Sequence, residues 1–441
     1  MKKNKRDFES FQNFSGLGEL QKKVIFTFVL LLVYRLGIHI PTPGIDAEAL
    51  SAFFNQMKGG TLLNVFDMFA GGGLRKLSIF ALGIMPYISA SIIMELLTVV
   101  IPKLDRLKKE GQEGYKKITQ YSRYGTVLIS LVQGFGMAVG LESMTSPNGM
   151  AVVLDPGWIF RLNTMITLTT GTVFIMWLGE RITDKGIGNG ISLIIFAGIV
   201  TRLPGAIINT LRLIRTGEIS LLVAILVLVV AVVVVGVIIF FETAQRRIPI
   251  HYAKRVVGRK VYGGQSTFLP LKLNTAGVIP PIFASSILLF PGTITTFIKI
   301  PIFQQFNKYF HPTSIIYNII YVILIFGFCF FYTAITFRSD NVADNLRKYG
   351  GFVPGIRPGK KTAEYIDKVL TRLTFWGAIY VSAVCILPKI LLAEFNVPFY
   401  LGGTSLLIVV GVALDVMQRI ESYMINRNYD GLVKKGRKAF K

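Results

Sequence analysis

Long apolar runs separated by short charged stretches dominate this chain. They fall at 24–40, 77–101, 121–141, 158–178, 187–208, 219–241, 274–298, 315–337, 373–393 and 400–423. About 20 apolar residues at 1.5 Å each cross a hydrocarbon core of ~30 Å, so each run is read as a membrane helix. The clearest, ISLLVAILVLVVAVVVVGVIIFF at 219–241, holds no charge. The stretch 187–208 is interrupted near its end by Arg202 and Pro204. Between the first two runs lies LLNVFDMFA, residues 62–70. It makes only ~14 Å of helix, too short to span. The fold class that follows is an all-α polytopic membrane protein of about ten transmembrane helices. The basic start MKKNKR suggests a cleaved signal peptide. Its polar lead-in is too long and no A-x-A site follows, so 24–40 is expected to be a retained first helix.

Charge sets the orientation. Lys and Arg number six before Val24, seven in 102–123, seven in 242–273, eight in 338–372 and seven from Arg419 onward. The alternate loops are poor: one in 41–60, none in 142–157, two in 299–314 and none in 394–399. The loops 209–218 and 179–186 carry two each, the latter against two acids. Basic loops stay on the cytoplasmic side, so with ten spans both termini are expected there. The formal net charge of +24 then reflects topology and not a nucleic-acid ligand by default. Two loops exceed what topology needs. Residues 242–273 interleave their basic residues with Tyr252, Val256, Val257 and Tyr262, a pattern that suggests a hairpin. Residues 338–372 combine Arg347, Lys348, Arg357, Lys360 and Lys361 with four glycines. Both read either as solvated positive-inside loops or as docking surfaces for an acidic or phosphate-rich partner.

Composition agrees: 52% hydrophobic and 16% charged residues, against about a quarter charged in soluble domains. Cys329 and Cys385 both lie in apolar runs, and His39, His251 and His311 lack metal-ligand spacing. Gly355-Ile-Arg-Pro-Gly359-Lys360-Lys361-Thr362 is a residue short between its glycines for a P-loop, and Lys361 intrudes before the threonine. Gly186-Ile-Gly188-Asn-Gly190 lacks the third spacing of a dinucleotide fingerprint. No catalytic triad, carboxylate pair, metal cluster or cofactor site assembles, and no enzyme is expected.

Intramembrane charges call for a functional reading by default. Arg35, Glu95, Arg161, Lys389 and Asp415 are the candidates, most of them near helix ends where they can snorkel. Asp415 and Arg419 are spaced for an ion pair on one helix face. Ile84 and Ile88 are four apart, as are Ile191 and Ile195, so each pair shares a helix face. Pro86 invites a kink between the first two. On spacing alone, packing remains the ordinary reading of these isoleucines.

Five longer stretches change that. FAGGGLRKLSIFALGIMPYISASII, MWLGERITDKGIGNGISLIIFAGIV, QRRIPIHYAKR, FVPGIRPGKKTAEYIDKVLTRLT and VPFYLGGTSLLIVVGVALD run in order from residue 69 to residue 415. The chain resembles the SecY family of protein-conducting channels through them. That resemblance implies two inverted five-helix halves, 24–208 and 209–423, around an hourglass pore, with a cytoplasmic segment 1–23 and a basic tail 424–441. It places the pore ring at Ile84, Ile88, Ile191, Ile195, Ile282 and Ile408, a constriction that excludes ions by dewetting. It makes 61–74 the plug, with Asn64, Phe66 and Phe69 on the half-helix and Gly71, Gly72 and Gly73 as a hinge. It assigns Ser89, Ser91, Glu95, Ser285 and Ser286 to a lateral gate, where Glu95 departs from the glutamine common in the family. It assigns Arg259, Lys260 and Arg357 to docking of the ribosome or the SecA motor ATPase. Partners implied are SecE and SecG in a heterotrimer, SecA, the ribosome, signal sequences, unfolded preproteins and membrane lipid, including anionic lipid. No cofactor is implied. A solute or ion transporter of inverted-repeat type, and a membrane scaffold without a pore, are the alternatives that composition alone leaves open.

Overall fold

In an apolar medium every backbone N–H and C=O must find a partner inside the protein, and the helix satisfies that demand within a single segment. The computed structural model describes residues 18–56, 62–142, 144, 151–218, 220–252, 255–257, 260–262, 266–297, 314–395 and 403–439. Its elements in chain order begin with α1 (Gly18–Gly37), α2 (Ala47–Gln56), α3 (Leu62–Phe69), α4 (Met85–Val100) and α5 (Pro102–Lys109). Next come α6 (Gln112–Glu142), α7 (Trp158–Lys185), α8 (Gly190–Val200), α9 (Leu203–Arg215) and α10 (Leu221–Thr243). A strand group follows: β1 (Gln245–Tyr252), β2 (Arg255–Val257), β3 (Lys260–Tyr262) and β4 (Ser266–Lys272). The chain closes with α11 (Ile279–Phe297), α12 (Ile315–Thr336), α13 (Ser339–Lys348), β5 (Gly351–Phe352), α14 (Lys360–Phe395) and α15 (Gly403–Ala439).

A helix stands at each of the ten apolar runs. Among the described residues, seven helices or continuous helix pairs are long and apolar enough to cross a membrane. The count is eight if α4 and α5, bent by 100° at Ile101, form one span. α1 is 20 residues long but carries Lys22, Lys23 and Arg35, which shortens its uncharged stretch. α11 runs from Ile279 to Phe297, and its side chains are described as far as Leu288.

Several boundaries differ from those the hydropathy pattern suggests. Pro86 does not kink a helix; it sits in the first turn of α4, whose N-cap is Ile84. A proline is tolerated there because the N–H it lacks would have no intrahelical acceptor. The run 187–208 is two helices, α8 and α9, broken at Thr201 and Arg202, and α9 continues to Arg215. α14 begins at Lys360 and not near 373, because its first turns bury Ile366 and Leu370 against the neighbouring strands. The loop 41–60 contains α2, and the tail beyond 423 continues α15 to Ala439. Arg161 does not simply snorkel. Its guanidinium forms a forked ion pair with Glu142, Nη2 to Oε2 at 2.6 Å and Nε to Oε2 at 2.9 Å. The Asp415–Arg419 pair is present, Nε to Oδ2 at 3.0 Å.

By contact, the chain divides into two compact units. One is Met1–Ile207 with Leu289–Pro312 and Val412–Lys441; the other is Ile208–Leu288 with Thr313–Gly411. In the first, α6 packs on α7, α4 on α6, α8 on α7, and α1 on α7 and α8. Stacked rings tie these helices together. Tyr34 of α1 stacks on Phe80 with centroids 6.1 Å apart, Phe80 on Phe174 of α7 at 5.8 Å, and Phe174 on Trp177 at 5.7 Å.

In the second unit, α12 and α10 pack on α14, and Phe241 stacks flat on Tyr380 at 4.2 Å. The hairpin suggested for 242–273 is real. β1 pairs antiparallel with β4, opposing Ile248 to Leu269, and β5 joins the free edge of β1. β2 and β3 form a smaller hairpin beyond them. Along β1, Ile248 and Ile250 turn inward while Arg247, Pro249 and His251 do not, the period-two pattern of a sheet with one covered face. Ile248, Leu271, Val353, Ile366 and Leu370 make its core. Cys329 and Cys385 are buried and form no disulfide.

Ile366 is wholly buried in that core. Ile366→Ala should therefore destabilise the second unit by about 2–5 kcal/mol through lost burial and a cavity. The expected readouts are a lower thermal unfolding midpoint in detergent and faster proteolysis between β4 and α14.

Candidate functional site

Among the described residues of the first unit, a long stretch of irregular backbone lies between α3 and α4. α3 has eight residues, and after it the chain runs through turns until α4 begins at Met85. Non-helical backbone at membrane depth is tolerated only when protein satisfies it. Here it does. The N–H of Ala70 donates to the Phe66 carbonyl at 3.0 Å, Gly72 to Asp67 at 2.9 Å and Ser78 to Gly73 at 2.8 Å. Thr42 donates both its N–H and its hydroxyl to the Leu77 carbonyl, each at 2.8 Å. Phe66 and Phe69 are buried. The backbone of Asn64 lies in α3, and its side chain is outside the described residues.

The centre of this segment is a carboxylate that the sequence reading passed over. The Asp67 side chain has 0% exposure. Its Oδ1 accepts the backbone N–H groups of Leu74 at 3.0 Å and Arg75 at 3.2 Å. Its Oδ2 faces Arg75 Nε at 3.3 Å and accepts a hydrogen bond from Arg202 Nη2. The same Arg202 nitrogen donates to the Asp67 carbonyl at 2.8 Å. From α1, Arg35 donates to the Gly71 carbonyl at 3.0 Å. A carboxylate offers about four lone-pair sites; three hydrogen bonds fill this one, and the Arg75 guanidinium adds a second positive charge beside it. A signal was available. Asp67 stands alone in LLNVFDMFA with no basic residue three or four positions away, so its counter-charge must come from elsewhere in the chain.

Two glycines permit the turn. Gly71 (φ +67°) and Gly72 (φ +95°) lie in the left-handed region. A Cβ at Gly71 would also meet Tyr34 Oη and approach the Cα of Gly198 in α8, so backbone packs on backbone there.

The isoleucines assigned to a ring are placed as follows. Ile84 caps α4 and Ile88 lies in its first turn, the Ile88 N–H donating to the Ile84 carbonyl at 3.1 Å. Ile191 opens α8 behind Asn189, whose Oδ1 accepts the N–H groups of Ile191 at 3.0 Å and Ser192 at 3.4 Å. Ile195 follows one turn later. These four belong to the first unit; Ile282 in α11 and Ile408 in α15 belong to the second. Ile191 is half-buried and the other five are buried.

The SecY family model matches residues 78–417. The chain belongs to the SecY family. Protein translocase subunit SecY of Escherichia coli K12 is 50% identical over 433 residues, 97% of each chain. The protein of the same description from Rickettsia typhi is 50% identical over 428 residues, 96% of this chain and 98% of that one. Among solved structures, one described as a protein conducting channel covers 91% of this chain and 92% of its own, at 17% identity and a TM-score of 0.65. Sec61 in the canine ribosome-channel complex gives 16% identity and a TM-score of 0.61 over the same shares. These two establish likeness of fold. A SecY-family chain with these apolar helices is a multi-pass membrane protein.

The residues that the SecY resemblance assigns to a gate differ among themselves. Ser285 and Ser286 are buried, and both hydroxyls donate to the Ile282 carbonyl, at 2.9 and 2.8 Å. Ser89 and Ser91 are half-buried on α4, and Ser91 engages the Tyr87 hydroxyl. Glu95 is half-buried and faces the positive charge of Lys108 on α5. Of the SecY docking positions, Arg357 is exposed in the turn before α14, where its carbonyl accepts the Thr362 hydroxyl at 3.0 Å. Lys260 is placed by its backbone in β3, and Arg259 lies outside the described residues.

Gly198→Val puts a branched side chain where the Gly71 backbone lies. The expected result is a thermal midpoint several degrees lower for the purified protein, with Gly198→Ala causing a smaller loss.

Proposed function

We propose that this chain is the central subunit of a protein-conducting channel. It passes unfolded secretory polypeptides across the cytoplasmic membrane and releases membrane helices sideways into lipid through a lateral gate. The observation that carries this reading is membership of the SecY family along nearly the full chain, at 50% identity to a translocase subunit. The channel is passive and has no nucleotide site. A partner supplies the energy, either the SecA ATPase or the ribosome. SecE and SecG complete the heterotrimer, and both termini of this subunit face the cytoplasm.

The physics of the proposed parts is simple. Six isoleucines at a constriction make water unfavourable, so small ions meet a dewetted barrier. Branched apolar side chains still yield around an extended polypeptide without offering it a polar trap. The α3 segment fills the outer side of the constriction as a plug, supported by its short length and its burial. The basic hairpin loop and the turn at Arg357 form the docking surface, where phosphate contacts would weaken with added salt.

The first test places a cysteine at Ile282, with Cys329 and Cys385 replaced, and a second cysteine in a secretory protein stalled midway across the membrane. A disulfide that depends on SecA, ATP and an intact signal sequence is expected. Failure at all six ring positions, with assembly and stalling intact, removes the pore assignment and favours the transporter reading.

Two further outcomes are expected. Ile408→Asp should raise resting ion conductance of the reconstituted channel at least about tenfold by wetting the constriction. Arg357→Glu should weaken association with the ribosome or SecA, with a shallower dependence on salt than the parent chain shows.

A further inference from the structure

Among the described residues, the buried Asp67 is the one carboxylate on the α3 segment, and it is met by arginines from two directions. Arg75 is local, eight residues along the chain, and moves with the segment. Arg202 is not local. It stands at the break between α8 and α9, 135 residues away, and reaches both the Asp67 carboxylate and the Asp67 carbonyl. The break itself falls where Pro204 enters the first turn of α9. We propose that the Asp67–Arg202 ion pair is the latch that holds the α3 segment in its seated position against α8. This rests on the plug reading and supplies its regulation.

The chemistry favours a switch over a graded contact. Seated, the carboxylate accepts hydrogen bonds from Arg202 and two backbone N–H groups, and Arg75 adds a second positive charge 3.3 Å away. Displaced, the pair must either leave an uncompensated charge in a dry setting or admit water to both ions. The first is strongly unfavourable, and the second requires the segment to have already moved. Opening is therefore all-or-none. Arg35 adds a second tie at the Gly71 carbonyl, but to an uncharged acceptor, weaker than an ion pair. Gly71 against Gly198 adds close packing, which alone falls off smoothly with distance. The charge pair is the element of this seat that one substitution can remove while leaving shape intact. Asp67→Asn is nearly isosteric, and its amide oxygen still accepts the Leu74 and Arg75 N–H groups.

The experiment uses the complex purified from membranes, with Cys329 and Cys385 replaced and Phe69→Cys, a buried position on α3, as reporter. Labelling by a water-soluble maleimide measures unseating, and iodide efflux from vesicles carrying the complex measures the seal. Asp67→Asn and Arg202→Gln should each speed labelling by about tenfold, a factor that corresponds to ~1.4 kcal/mol. Arg202→Lys, which keeps the charge, should recover most of the protection. Faster labelling with faster efflux supports both latch and plug. Faster labelling with unchanged efflux supports the latch and overturns the plug reading. Labelling within twofold of the parent in both variants, with the complex intact by co-purification, overturns the latch. So does Arg202→Lys behaving like Arg202→Gln.

Discussion

A membrane interior supplies no hydrogen bonds, and the architecture of this chain follows from that single constraint. Helices meet it without help, which is why most of the chain is helical. The stretch from Ala70 to Ile84 is the exception and shows what an exception requires. Most of its residues are buried, its backbone groups find partners within the segment, in α3 and on Ile40 and Thr42, and Arg35 donates to the Gly71 carbonyl. This irregular backbone is thus tied to side chains far away in sequence. The segment is an insert held by its neighbours, unlike the self-sufficient helices around it.

Charges inside the helical array divide by what they do. Glu142 with Arg161, and Arg123 with Glu180, join α6 to α7 near opposite ends of the pair, each partner with some solvent access. Pairs of this kind contribute little to stability on their own. Asp67 is different in kind because it is dry. Its arginines are needed for the charge to exist there at all, so the local structure and the electrostatics cannot be altered separately. The half-buried Glu95, beside Lys108, lies between these extremes.

Hydropathy made the position and order of the main apolar helices legible because lipid exposure enforces a blunt, long-period pattern. It did not make helix ends legible. Lys360 and Lys361 look like loop residues, yet they open α14, because Ile366 and Leu370 are claimed by a sheet that no hydropathy window registers. Pro86 reads as a kink until its place in the first turn of α4 is seen, and only the turns of 79–84 before it put it there. The isoleucine positions were carried by family resemblance; their spacing alone does not separate packing from a constriction. Asp67 and Arg202 were visible as letters, each an oddity in an apolar run. Their meaning lies in a pairing across 135 residues, which no local pattern encodes.

α14 is a single helix from Lys360 through Pro388, a rod of about 42 Å. One end is clamped to the sheet by Ile366 and Leu370, directly after the turn bearing Arg357. The other runs on among α10 and α12. A stiff rod gripped at one end converts rotation into travel: a tilt of about 5° at the sheet carries the far end through roughly 3–4 Å over that length. Force applied to the basic turn would therefore arrive in the apolar region as a sideways displacement comparable to the width of a methyl group. The sheet, which looks like decoration on a helical protein, is in mechanical terms the handle of a lever.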